Sequence, residues 1–417
     1  MDISKTYELE QIDGTVRGRV VRMVVCMESN LTMVEDSPVR RLPWVLASGD
    51  NQGASAWFLG PNWFASVMGT GIVANAGATL PTQIYGQHTF ALVTWILASL
   101  LLVGLLIATG LHWLRNPAVA RSHGRDVSMA QFYGAPPMAL LTVGLGALLV
   151  GKSVLGTRLA VDLDWVLWTA GTILGLFTVT IIPYRLFTQL NVGPDSAFGG
   201  WLMPIVPPMV SAATGAALIP HVASFNGKAT MLYALYVLFG MSLVASLIVI
   251  TLIWSRLVHY GTSGTSRVPT LWIVLGPLGQ SITAAGLLGA EAHLAAPHAI
   301  DSAFSVFGVL YGVPVWGFAV LWIVLAGSLT IRTARRKLPF ALTWWSFTFP
   351  VGTFVTGTSR LAIATKLPAF HFAAAVAYVG LLSAWAIVAV RTFHGARRGE
   401  LFKPPSKTAG APIARKG

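Results

Sequence analysis

An all-α integral membrane fold with ten transmembrane helices is predicted by three features of the sequence. Charged residues make up 10% of the 417 and hydrophobic residues 54%, where a soluble domain carries about 25% charged residues. Apolar stretches of bilayer length, roughly 20 residues, recur along the chain. The basic residues gather on alternate loops, as the positive-inside bias of membrane proteins requires.

The stretches fall at about 61–80, 90–114, 133–151, 163–184, 202–219, 230–254, 269–290, 303–327, 340–361 and 369–391. The first is only weakly apolar, being rich in Gly, Ala and Thr, yet it carries no charge over a full bilayer length. Small residues in a span go with close packing or a pathway rather than lipid contact. Residues 1–57 open with mixed charge (Asp2, Lys5, Glu8, Glu10, Asp13) and lack an early apolar core. They therefore read as a poorly ordered tail, not a cleavable signal. The expected organisation is a cytoplasmic tail over 1–57, one ten-helix membrane domain over 58–393 and a basic cytoplasmic tail over 394–417.

With the N-terminus inside, 23 of the 28 Lys and Arg residues fall on inside segments, and five (Lys152, Arg158, Lys228, Arg360 and Lys366) fall outside. Both termini are thus expected on the cytoplasmic face of a plasma (inner) membrane. The same count accounts for most of the net charge of +13. Groups such as Arg332, Arg335, Arg336 and Lys337 serve as topological anchors, with anionic membrane lipid as a secondary partner, and no nucleic acid is expected. The lone Cys26 leaves no disulfide framework and no multi-cysteine metal site.

The odd-numbered spans share an order of residues: an aromatic leads, a proline follows inside the span, and small residues come after. Span 3 has Phe132-Tyr133-Gly134-Ala135-Pro136-Pro137, and span 5 has Trp201 followed by Pro204, Pro207 and Pro208. Span 7 has Trp272 followed by Gly276-Pro277-Leu278-Gly279, and span 9 has Trp344-Trp345 followed by Phe349-Pro350-Val351-Gly352. Span 1 opens with Gly60-Pro61-Asn62-Trp63-Phe64. Proline inside a helix removes a hydrogen bond and kinks the chain, and in lipid the freed carbonyl must be satisfied by protein or water. Such helices belong inside a bundle. Spans 2 and 6 have no proline and are rich in Leu, Val and Ile, as lipid-facing helices are. The expected architecture is five helical hairpins with odd helices inward and even helices outward; ordinary transmembrane proline kinks are the plainer alternative.

The odd spans carry no Asp, Glu or Lys in their cores. Cation pumps and proton-coupled transporters bury an acid near mid-membrane, and no such residue is expected here. Acidic metal-binding motifs and the G-x-x-x-x-G-K-[ST] phosphate loop are absent from the sequence. Glu291-Ala292-His293 is too small a ligand set for a metal, so neither metal nor cofactor is expected. What remains is hydroxyls (Ser66, Thr70, Ser211, Thr214, Ser281, Thr283, Thr348 and Thr353), glycines and broken helix ends with partial positive charge. Singly, each hydroxyl is best read as bonding its own helix backbone. Together, without fixed charge, they suit a weakly held anion.

The stretch Gly60-Pro61-Asn62-Trp63-Phe64-Ala65-Ser66-Val67-Met68-Gly69-Thr70-Gly71-Ile72 resembles the opening helix of the tellurite-resistance/dicarboxylate transporter (TDT) family. Trp345-Ser346-Phe347-Thr348-Phe349, with Gly352 after it, resembles that family's ninth helix. The family includes tellurite-resistance proteins, malate permeases, sulfite efflux pumps and slow anion channels. The resemblance covers about 58–393. It implies five hairpins around a central pore lined by odd helices, a homotrimer with one pore per subunit, and a ninth-helix phenylalanine that plugs the pore. By motif position that residue is Phe349. Pro350 follows it where bacterial channel members carry glycine, which stiffens the neighbouring backbone. The pore-lining candidates are Gly69, Thr70, Gly71, Pro137, Pro207, Pro277, Gly279, Thr348, Pro350 and Gly352.

The function expected is transport of small anions, C4-dicarboxylates such as malate first and sulfite or another small oxyanion second. A non-transporting membrane enzyme or scaffold is the alternative of a different class. The sequence offers neither a buried catalytic pair nor a large soluble domain for it.

Overall fold

The computed structural model describes residues 58–336 and 338–402. The expected tail over 1–57 and most of the basic C-terminal tail lie outside the described residues. Every regular element among the described residues is helical, and each of the ten apolar stretches is part of a helix. The principal helices are α1 (Phe64–Thr79), α2 (Gln87–Arg115), α3 (Ala135–Gly146), α4 (Thr157–Thr188), α5 (Pro207–Gly215), α6 (Phe225–Tyr260), α7 (Leu275–Ala295), α8 (Asp301–Ala334), α9 (Phe349–Thr365) and α10 (Pro368–Arg397). Helix α10 thus runs four residues past 393, and a 3₁₀ turn, Glu400–Phe402, follows it.

Among the described residues, seven helical stretches are long and apolar enough to cross a membrane: Gln87–Arg115, Ala130–Leu155, Thr157–Thr188, Phe225–Tyr260, Thr265–Ala295, Asp301–Ala334 and Pro368–Arg397. The remaining three are less apolar or broken. Helix α1 is rich in Gly and Ala, a turn after Leu202 interrupts the approach to α5, and α9 is dense in Thr and Ser. These three are buried within the molecule, which removes the need for an apolar surface. Every residue from Phe64 to Gly77 is buried.

Burial separates two sets of helices. Over its most apolar part, Thr265–Ala295 is 83% buried, whereas Asp301–Ala334 and Pro368–Arg397 are each 22% buried. Leu100, Val103 and Ile107 of α2, Val244 and Ile248 of α6, and Leu310 and Val324 of α8 are exposed. Large apolar surfaces of this extent are stable only in lipid. The odd-numbered helices pack in a closed succession: α1 on α3, α3 on α5, α5 on α7, α7 on α9, and α9 back on α1. Each is followed in the chain by a longer even-numbered helix that packs against it. Helices α7 and α9 approach closely. A Cβ at Gly279 would strike the backbone of Thr353 and Phe354, so glycine there lets the Thr353 hydroxyl donate to the Leu275 carbonyl at 3.1 Å.

The repeated prolines do not kink helix interiors. Pro136 and Pro137 lie in the first turn of α3, Pro207 opens α5, Pro277 lies in the first turn of α7, and Pro350 is the second residue of α9. The first helical turn has no use for those N–H groups, so proline there breaks no hydrogen bond. The leading aromatics fall instead in 3₁₀ turns ahead of the prolines: Ala130–Gly134, Gly199–Leu202, Thr265–Val274 and Leu342–Phe347, joined by Pro61–Trp63 before α1. These five turns also pack in closed succession, the last on the first.

Candidate functional site

A cavity of about 370 Å³ runs along the middle of the odd-numbered helices. Its wall takes Ile72 and Asn75 from α1, Thr142 and Leu145 from α3, Val210 and Thr214 from α5, Gln280 and Thr283 from α7, and Phe349, Thr356 and Arg360 from α9. No even-numbered helix contributes. The cavity reaches Thr79, Leu80 and Gln83 beyond α1, which places its wide end at the C-terminal ends of these helices. At the other end, among the 3₁₀ turns, only a void of about 10 Å³ remains, lined by Ala65, Met68, Phe132, Met203, Trp345 and Pro350, among others. That is about the space of one water molecule.

Phe349 sits between the two. It lines the cavity while its neighbour Pro350 lines the void. Its side chain is 2% exposed and belongs to one apolar cluster with Phe64, Met68, Ile72, Val206 and Leu275. The backbone changes character at this point. The 3₁₀ turn ends at Phe347, Thr348 takes φ −106° and ψ −73°, and the α-helix begins at Phe349. Phe347 is half-buried elsewhere, edge-on to Trp272 and Trp344 at 5.7 Å each.

The cavity wall is apolar with a few polar groups. The Thr283 and Thr356 hydroxyls bond one another at 2.8 Å across α7 and α9. The Asn75 amide donates to the Thr142 carbonyl at 3.0 Å, and Gln280 is buried with its Oε1 unpartnered. Arg360 is the one charged side chain on the wall. Its Nε is buried without a partner, and its remaining contact is a long 3.4 Å bond to the Gly286 carbonyl. Among the described residues, the single ion pair, His298 with Asp301, does not involve it. Glu291 of α7 acts on it electrostatically without closing an ion pair. With its Nε still open, such a guanidinium at a cavity wall is a fitted partner for an oxyanion.

Of the residues singled out from sequence, Phe349 and the hydroxyl residues Thr214 and Thr283 lie on the cavity and Pro350 on the narrow void. The other gate and pore-lining candidates sit between helices. Thr70 accepts from the Trp385 indole at 3.2 Å, toward α10. Gly69 faces Thr348 and Trp345, Gly71 faces Thr142, and Gly352 faces Ile72. Pro137 and Pro207 pack on Gly175 of α4, Pro277 is buried in α7, and the Thr348 hydroxyl donates back to the Trp345 carbonyl at 2.7 Å. Asn75, Gln280 and Arg360 were not anticipated on the wall. Their signal was available: with Asn62 they are the amides and the lone cation in otherwise uncharged odd-numbered stretches, and Arg360 was counted among the five basic residues on the outside.

Residues 59–393 match the voltage-dependent anion channel (SLAC1) family. The chain belongs to this family. Similar curated proteins include a sulfite efflux pump of Arthroderma otae, 25% identical over 82% of this chain and 92% of the relative. An uncharacterized transporter of Methanocaldococcus jannaschii is 26% identical over 82% of this chain and 95% of its own. A putative malic acid transport protein of Schizosaccharomyces pombe is 21% identical over 82% and 80%. As a SLAC1-family protein the chain is a multi-pass membrane transporter or channel for anions, and this family and these relatives are channels and transporters, not enzymes.

Proposed function

We propose that this protein passes small oxyanions along the axis of its odd-numbered helices, with Phe349 as the gate. The observation that carries the reading is the cavity itself: five helices wall it, one cation faces it, and it ends at a buried phenyl ring. A benzyl group across a narrow apolar passage excludes water, so an ion meets a steep desolvation barrier until the ring swings aside. The backbone irregularity at Thr348 gives that ring a place to pivot.

A single-centre oxyanion such as sulfite is the favoured substrate. One guanidinium matches one anionic group, and the wall has no second cation for the far carboxylate of a C4-dicarboxylate. The named activity of the sulfite-pump relatives agrees with this. A malate-like substrate is the second reading, favoured by the malic acid relative. The reading further carries both termini on the cytoplasmic face of the plasma membrane, supported by the distribution of Lys and Arg, and a homotrimer with one pathway per copy, supported by the family resemblance.

The test is reconstitution into liposomes with chloride, sulfite and malate offered in turn. Sulfite flux above that of empty vesicles is expected. If no anion in the panel moves, the reading fails; if malate outruns sulfite, the single-centre assignment fails.

A further inference from the structure

The sequence leads one to expect no buried acid, and the structure corrects this. Asp164 lies two turns into α4. It is 0% exposed, and neither carboxylate oxygen has a hydrogen-bond partner. Position along the chain placed it near a span end, but α4 starts at Thr157, so Asp164 sits well inside the helix and against α3. The contact is tight: Gly144 of α3 faces it, and a Cβ there would lie 2.5 Å from its Oδ1.

No neighbouring charge compensates it. The elements packed on α4 bring Lys152 (the short helix after α3), Tyr133 (the turn before α3) and His221 (the turn after α5), and Lys228 stands at the start of α6 close by. Helix α4 itself carries Arg158, Asp162, Tyr184 and Arg185. Lys152, Arg158, Asp162, Tyr184 and His221 are exposed, Tyr133 and Arg185 belong to the far end of the helix, and none of these groups pairs with Asp164. A carboxylate ion that is dry, without a cation and without a donor is unstable, so the neutral acid is the form that fits.

The helix on which Asp164 rests is also a wall of the cavity. Thr142, Leu145 and Leu149 face the cavity on either side of Gly144. Just beyond, Ala147–Gly151 is a π turn, a feature that marks functional and adjustable points in helices. The carbonyls of Thr142 and Val143 ahead of it are held by side chains, Asn75 of α1 at 3.0 Å and the Trp95 indole of α2 at 2.9 Å.

We propose that Asp164 is a proton-binding site whose occupancy sets how α3, and with it the cavity wall, seats on α4. The reaction is a plain acid dissociation: the O–H bond breaks, the electron pair stays on the carboxylate, and the proton passes to water. The neutral acid holds α3 seated. Ionisation strands a charge against Gly144, and relief comes by admitting water and moving α3 off α4 toward the axis, which narrows the cavity and lowers flux in alkaline buffer.

Two measurements test this. Infrared spectra of the purified wild-type protein at neutral pH should contain the carbonyl stretch of a protonated carboxyl group free of strong hydrogen bonds. The band should fade in alkaline buffer and be absent from Asp164→Asn. In liposomes, wild-type flux should fall at least about fivefold over the same transition, the lower end of ordinary site-to-site coupling, while Asp164→Asn keeps one rate throughout. Absence of the band overturns the proposal, as does an unchanged flux profile in the amide variant. Should that variant fail to fold, the wild-type titrations decide: coincident midpoints for band and flux support the coupling, and separate midpoints overturn it. The infrared arm does not depend on which anion is carried, so its failure is distinct from failure of the transport reading.

Discussion

Phe347 and Phe349 flank a single turn residue, Thr348, yet pack into different parts of the molecule. Phe347 leans edge-on against Trp272 and Trp344, whereas Phe349 is sealed between the cavity and the narrow void. The two changes Phe347→Ala and Phe349→Ala remove the same volume, so any difference in flux reports position alone. Phe349→Ala should raise anion flux by about tenfold or more, a barrier change of about 1.4 kcal/mol. Phe347→Ala should leave flux near wild type and cost about 1–3 kcal/mol of stability as a half-buried truncation. Liposome flux and thermal unfolding of both variants check this; equal flux in the two would remove the gate from Phe349.

Arg360 should matter for the anion and little for the fold. Its Nε is unpartnered and it closes no ion pair within the fold, so Arg360→Gln breaks no direct salt bridge. Flux should drop about tenfold, in keeping with the 1.5–3 kcal/mol typical of a hydrogen bond to a charged group. Arg360→Lys should fall between, since it keeps the charge but not the planar fork. Concentration dependence of flux in the three proteins is the measurement; a wild-type curve for Arg360→Gln would show that the cation does not meet the substrate.

Gly279 is a position where one methyl group is too many. The added Cβ meets backbone at Thr353 and Phe354, which cannot rotate away as a side chain can. Gly279→Ala should therefore destabilise by about 1–3 kcal/mol, as overpacking does, and Gly279→Val by more. Thermal unfolding in detergent reads this out, and an unchanged midpoint for Gly279→Val would mean that α7 and α9 are not held at this distance.

Topology is open to direct reading. Reporter fusions at Lys403 and within residues 291–302 should respond from opposite sides of the membrane, because 23 of 28 basic residues favour one side. Three spans separate the two sites, so response from the same side would exclude the ten-span arrangement.

Helix positions were legible from hydropathy alone because lipid imposes one rule on every span. Even the helices too polar to qualify singly, α1 and α9, were found from their uncharged length. The role of proline was less legible. Sequence shows that Pro137 or Pro350 lies in an apolar stretch but not where the α-helix starts, and that start decides between a kink and a first-turn residue. The hydroxyls followed the plain expectation in most cases: Ser66, Ser281, Thr214 and Thr348 bond carbonyls three or four residues back. Thr214 and Thr283 also reach the cavity wall. Which side of a buried helix faces an axis depends on neighbours distant in sequence. With nearly every side of α1 and α9 covered, their patterns hold no polar face to mark it.

The closed succession of odd-numbered helices also constrains how the chain is made. Among the described helices, α1 leaves the ribosome first and is poorly able to remain in lipid alone, yet one of its two ring neighbours, α9, is nearly 300 residues downstream; Gly352 seats against Ile72. Contacts of such separation form late. For most of synthesis, α1 must wait with Gly69, Thr70 and Ile72 uncovered on the side of α9 and α10, shielded by α2 and α3 or by the insertion machinery. A nascent chain stalled before Phe349 would hold eight helices around an open seam, and that seam is where quality control should recognise an unfinished molecule.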